Sequence, residues 1–200
     1  MSLGLLAVLL VLTFEAFSQN RKGQIFYSKD DGLYWAAIET AYFKAYVARQ
    51  HSENWCWAAC LQMVLDYYGL EVSQSRIVER AYGDDYDLTA NGEDIADAVN
   101  GWYLEGSWIH ATSEKYKSAK TLIEALVKGT PLIIGLDERY SSTGHAYVLT
   151  HVFFTTDTYG KMTPSRVLVI NPANSGDMEE SLDWDEFYER INTIVVVTKS

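Results

Sequence analysis

Apolar and polar positions change their rhythm along this chain. Between Trp55 and Tyr68 the strong helix formers Ala58, Ala59, Leu61, Gln62, Met63 and Leu65 crowd together, and Gly69 stands where a helix-ending residue belongs. The spacing predicts shorter helices over Ser73–Ala81 and Gly92–Trp102, the latter from Ile95, Ala96 and Val99, and a fourth from Ser118 to Lys128 that stops at Gly129. After Pro131 the rhythm becomes that of strands. Leu132–Leu136, His145–Phe154, Arg166–Ile170 and Ile194–Thr198 are rich in Val, Ile, Tyr and Phe and are separated by Gly and polar turns. Asp183–Glu189 reads as a late helix, and Tyr42–Val47 reads as a strand on its aromatic and β-branched character. A helical first half followed by a stranded second half implies an α+β domain of two lobes, with a cleft between them.

The first eighteen residues differ from the rest. Leu3–Phe14 is an almost unbroken apolar run, and Ala16-Phe17-Ser18 gives a small-x-small pattern before Gln19. This pattern predicts a signal peptide over 1–18, although no Lys or Arg precedes the run. A bilayer core takes about 20 apolar residues, and this run is shorter and ends at Glu15. The expected organisation is therefore a signal peptide at 1–18, an N-terminal segment at 19–39 and one domain over 40–200, secreted or periplasmic and free of the membrane once the signal is removed.

Removal of that segment changes the net charge only from −11 to −10. A chain so acidic is a poor partner for nucleic acid. The acidic residues are scattered, as on a solvated surface, so they indicate no substrate preference. Cys56 and Cys60, four residues apart, do not make a disulfide framework, and no further ligand pair accompanies them at metal-site spacing. No cofactor is expected.

The chemistry gathers around Cys56. It opens the best helix, where unpaired backbone N–H groups and a partial positive charge favour an anion. Beside an imidazolium such a thiol drops from about 8.5 into the range of roughly 3.5 to 7.5 and becomes a nucleophile at neutral pH. His145 opens the longest strand after the polar stretch Ser141–Gly144 and is the choice for the base. His151 is its rival on the same strand face, while His51 and His110 lack comparable context. Asn171 ends the run Val167–Ile170 before Pro172, at the end of a strand that would lie beside that of His145, where it can hold the second ring nitrogen. Gln50 precedes Cys56 by six residues, and a short loop can fold its amide back to join the Cys56 backbone N–H at an oxyanion hole. Cys60 carries no partner motif and reads as core, as do Trp55, Trp57, Tyr67 and Tyr68.

Gln50 followed after five residues by Cys56-Trp57-Ala58 resembles the Gln-x5-Cys-Trp-Ala signature of papain-like cysteine proteases. Gly144-His145-Ala146 and Ile170-Asn171 resemble the later motifs of that family, in the order Cys, His, Asn. The segment Gln50–Gly69 is similar to the compact bacterial branch that includes bacteriocin-leader peptidase-like and effector-type enzymes, and the resemblance covers roughly residues 40–200. It departs in two places, the first being that the bacteriocin-processing branch usually carries Asp before Pro at the third position, whereas Asn171-Pro172 follows the papain choice. The stretch between Ser18 and Gln50 is also too short for a papain-type propeptide. The resemblance implies a papain-like two-lobe fold, a helical lobe facing an antiparallel sheet, and hydrolysis of a peptide or protein substrate through an acyl-enzyme thioester on Cys56. The same residues also serve acyltransferases, and an inactive secreted binding module is the reading from outside enzymes.

Overall fold

The computed structural model describes residues 23–38, 43–115, 118–138 and 143–200. The expected signal peptide lies outside the described residues. Among those residues no helix is long and apolar enough to cross a membrane.

In chain order the elements are β1 (Gln24–Ser28), β2 (Leu33–Ala37), α1 (Cys56–Tyr67), α2 (Gln74–Tyr82), α3 (Gly92–Asp97), β3 (Tyr103–Leu104), β4 (Ser107–Glu114), α4 (Ala119–Val127), β5 (Leu132–Leu136), β6 (His145–Thr156), β7 (Met162–Ile170), β8 (Glu179–Asp183), α5 (Trp184–Arg190) and β9 (Ile191–Lys199). The strands form one sheet in the order β1-β2-β6-β5-β9-β4-β3, with β7 on β6 and β8 on β7, and every pairing is antiparallel. This is the expected α+β architecture of helices against a large antiparallel sheet.

The central helix α1 is apolar around most of its circumference, with Trp57, Ala58, Ala59, Cys60, Leu61, Met63, Val64, Leu65 and Tyr67 all buried. A helix with that composition is stable only inside a core. It packs on β6 and α2. Its C-terminus is closed by a Schellman arrangement, in which Gly69 takes φ +78° while Leu70 N donates to Leu65 O at 2.9 Å and Gly69 N to Asp66 O at 2.8 Å. The indoles of Trp55 and Trp57 donate to the carbonyls of Tyr86 and Leu88, which pins the loop between α2 and α3 over the start of α1. Tyr68, read as core, donates its hydroxyl to Val197 O at 2.8 Å.

Three expectations need correction. Lys44–Tyr46, inside the expected strand, is a turn of 3-10 helix: Phe43 is buried against the Tyr67 ring of α1, so packing overrides β propensity. The first half is also not purely helical, because β1, β2 and β4 join the sheet. The turn at Asp31-Gly32, with Gly32 at φ +62°, is a hairpin signal flanked by Ile25-Phe26-Tyr27 and Leu33-Tyr34-Trp35. Finally, α3 stops at Asp97 instead of Trp102, because Asn100 turns its side-chain oxygen to Ala111 N and Gly101 takes φ +68°.

At the start of α3, Asn91 caps the N–H groups of Glu93 and Asp94 while Asp94 accepts from Asn91 N, a reciprocal capping box. Gly92 then passes so close to the sheet that a Cβ would stand 1.9 Å from Thr193 Oγ1 and 2.3 Å from Ser113 Oγ. Gly92→Ala is expected to lower stability by roughly 1 to 3 kcal/mol, read as a drop in thermal midpoint; an unchanged midpoint would show that the helix and sheet separate freely here.

Asp66 on α1 offers a second check. Burial, together with the charge of Glu71, raises its carboxyl to about 6. With an unfolded value of about 3.9, the folded state gains from this group below that pH and loses the gain as pH rises through about 6. Asp66→Asn keeps an acceptor for Val72 N–H and is expected to raise the thermal midpoint at pH 8 but not at pH 4. An equal change at both pH values would exclude the titration as its cause.

Candidate active site

The antiparallel pairing of β6 and β7 builds the site. Ile170 pairs with Val148, so the residue after β7 and the first residue of β6 emerge at the same sheet end. These are Asn171 and His145, and His145 Nε2 lies 2.8 Å from Asn171 Oδ1. The assignment of the amide follows from its other partners: Ala173 N donates to Oδ1 at 2.8 Å, and Nδ2 donates to Glu180 Oε1 at 2.5 Å. With an acceptor facing it, Nε2 carries a proton, which leaves Nδ1 to face the thiol.

Cys56 enters from α1. Its helix begins after Trp55 with no side-chain cap, so the first-turn N–H groups remain available to an anion. Burial pushes the thiol pKa up, but the hydrogen bond and charge of His145 and the backbone N–H groups of Ala146 and Trp57 outweigh it and hold Cys56 below its ordinary value. His145 moves the other way. Burial lowers it, yet Cys56, Asn171 and the charge of Glu138 together hold it above the usual imidazole value. In such a contacting pair each group favours the charged form of the other.

Gln50 is buried in the segment before α1. Its backbone N–H donates to Pro172 O at 2.8 Å, and Arg49 donates to Ala173 O and Gly176 O, so the segment before α1 interlocks with the turn after Asn171. The Gln50 side chain does not stand free in the cleft: Nε2 donates to Ser52 O at 3.0 Å and Glu53 O at 2.6 Å. Its Oε1 is buried without a hydrogen-bond partner among the described residues. The amide therefore pins the turn leading into α1 in this state, and service at an oxyanion requires it to share or exchange those carbonyls.

The remaining sequence candidates separate cleanly. His151 Nδ1 lies 3.0 Å from Thr150 Oγ1 and its ring stacks on Phe153, away from the thiol. His51 and His110 are exposed. Cys60 is fully buried, and burial first, then the charge of Cys56, raises its thiol well above the ordinary value. Among the described residues no group of three or more His, Cys, Asp or Glu side chains could hold a metal ion.

A cleft of about 550 Å³ opens beside the pair, with Cys56, Asn91 and Glu93 on the helical side and Ser113, Gly135 and Thr193 on the sheet side. Residues 42–195 match the Peptidase_C39 like family. The chain belongs to that family. It is a cysteine-type peptidase with a papain-like fold, and its family implies a peptide or protein substrate. Among solved structures it resembles the peptidase domain of Streptococcus ComA, a bifunctional ABC transporter involved in a quorum-sensing pathway. The TM-score is 0.55 at 16% identity, over 76% of this chain and 96% of that one. UfSP from C. elegans (TM-score 0.48, 13% identity, 89% and 34% covered) and the SERA5 proenzyme from Plasmodium falciparum (0.48, 10%, 81% and 64%) are more distant. No curated protein matches the chain.

Three supporting residues had no motif to announce them. Glu180 holds Asn171 from a polar strand whose alternation reads as surface. Tyr147 packs edge-on to His145 with ring centroids 4.8 Å apart. Gln74, fully buried, accepts from His51 N and donates to Arg49 O and Gln62 Oε1, which ties α2 to the segment carrying Gln50.

These shifts predict selective alkylation. With the Cys56 thiol held below its ordinary value and Cys60 buried and raised, iodoacetamide is expected to label Cys56 ahead of Cys60 in the folded protein. His145→Ala is expected to slow that labelling about tenfold or more. Equal rates at the two cysteines, by mass spectrometry, would mean an ordinary thiol.

Proposed function

We propose that the chain is an exported bacterial thiol peptidase that cleaves peptide bonds through an acyl-enzyme on Cys56, with His145 as general base and acid and Asn171 as its orienting partner. The observation that carries the reading is the unbroken contact chain from the uncapped start of α1 through Cys56 and His145 to Asn171. Export rests on the apolar segment before Gln19. The likeness to the ComA peptidase domain supports the fold on which such chemistry would run.

The thiolate attacks the scissile carbonyl carbon, forming the C–S bond as the carbonyl electrons move onto oxygen. The Cys56 backbone N–H and the Gln50 amide stabilise that oxyanion, Gln50 once it is turned from the carbonyls of Ser52 and Glu53. Collapse breaks the C–N bond, and the proton on His145 Nδ1 goes to the leaving amine. A water then loses a proton to Nδ1 as it attacks the thioester. Expulsion of the thiolate restores the ion pair and releases the new carboxylate. Throughout, Asn171 Oδ1 keeps Nε2 protonated, so that Nδ1 does the proton transfer.

The test is hydrolysis of a peptide library by the protein comprising residues 19–200. Cys56→Ala is expected to abolish cleavage with the fold retained, and Gln50→Ala to lower kcat by roughly 10²- to 10³-fold. Cleavage that survives in Cys56→Ala would remove the nucleophile assignment. Transfer to an added amine in preference to water would reassign the chain as an acyltransferase.

A further inference from the structure

We infer that Glu180 is a positioning residue of this same site, its carboxylate holding the Asn171 amide in the one orientation that keeps His145 protonated at Nε2 and charged beside Cys56. The inference rests on the thiol-peptidase reading above and adds a carboxylate behind its third member.

Glu180 lies on β8, paired across to Val169, with its side chain half-buried. Its neighbour Glu179 points to the other face and pairs with Lys44 at 3.8 Å, an exposed contact of a different kind. The Asn171 amide has two jobs that fix it independently. Ala173 N–H, a backbone donor that cannot rotate away, selects which end of the amide is oxygen, and that oxygen faces His145. The NH₂ end must then point the opposite way, where Glu180 accepts it at 2.5 Å. Such a charge-assisted bond is shorter and stronger than a neutral one. The carboxylate thus draws positive charge onto the amide nitrogen and leaves the oxygen a better acceptor for an imidazolium N–H.

Other charged and titratable groups face His145 as well. Cys56 comes from α1 and Glu138 follows β5, where Arg190 of α5 faces it at 3.7 Å. On β6, Tyr147 lies edge-on to the ring and directs its hydroxyl to Glu138 at 3.4 Å. Glu138 is thus shared with an arginine and a tyrosine, whereas Glu180 is hydrogen-bonded directly to the residue that holds the ring. Glu180 stabilises the imidazolium, so loss of its charge lowers the pH at which His145 gives up that proton.

The experiment compares wild type, Glu180→Gln, Asn171→Asp and the double variant by pH-resolved alkylation of Cys56, by steady-state peptide hydrolysis and by thermal midpoint. Glu180→Gln preserves size and an acceptor but removes the charge. The expected result is an upper pH limb displaced to lower pH and a kcat reduced by roughly tenfold with KM unchanged, the size expected when one charge-assisted hydrogen bond becomes a neutral one. Asn171→Asp alone sets two carboxylates against each other and is expected to cost more activity than Asn171→Asp with Glu180→Gln, where the new amide can donate to the new carboxylate. Superimposable pH profiles for wild type and Glu180→Gln, or a double variant no better than Asn171→Asp, would overturn the role of Glu180 while leaving the Cys56–His145 pair in place. Wild-type labelling that ignores His145→Ala would instead overturn the pair itself, and this inference with it.

Discussion

The meeting of the first turn of α1 with the open end of β6 governs this structure. A thiol at a helix start is mildly acidified, and a histidine at a strand end is mildly basic, but neither departs far from its solution behaviour alone. Brought into contact, each supplies the charge that the other needs to overcome burial. That contact depends on α1 being held firmly, which its composition ensures. A helix buried around most of its circumference cannot rotate without exposing Leu61, Leu65 or Trp57, so the direction of Cys56 is set by the whole core.

Around that contact the polar groups are arranged in successive supports. Asn171 holds the ring, Glu180 and Ala173 N–H hold Asn171, and the turn carrying Asn171 is in turn bonded to Arg49 and Gln50. Gln74, from the start of α2, holds the other side of the same segment. Among the buried side-chain atoms of this series, Gln50 Oε1 is left without a partner among the described residues. A buried unpaired oxygen costs on the order of 1 to 3 kcal/mol. That cost falls on Gln50, the residue proposed for the oxyanion hole, whose amide would have to change partners to serve there.

Much of the helical architecture was legible in the chain because it is written in local terms. The α1 boundaries follow from helix formers and Gly69, and α2, α4 and α5 from Ser73, Ser118 and Asp183, all of which prove to be side-chain caps. The strands after Pro131 were legible because a strand buried on both faces reads as a continuous apolar run, as β5 does. Where the reading failed, the deciding force was non-local. Phe43–Val47 has a strand's composition, but α1 draws Phe43 into the core and Lys44–Tyr46 turns as a 3-10 helix instead. The β1–β2 hairpin carried its signal at Asp31-Gly32, yet its exposed, aromatic edge strand lacks the alternation that marks a half-buried one.

The sequence by itself determined the chemical types at the site and their order: a cysteine at a helix start, a histidine opening a strand, an asparagine closing another and a glutamine just upstream. It could do so because each of those placements is a property of a single element. The tertiary structure brought the chosen His145 to the thiol, and it alone decided which ring nitrogen carries the proton, where the Gln50 amide is engaged and that Glu180 stands behind Asn171. All four depend on pairing between segments distant in the chain, β6 with β7, β7 with β8 and residues 49–50 with 172–176, and hydrogen-bond direction exists only once both partners are in place.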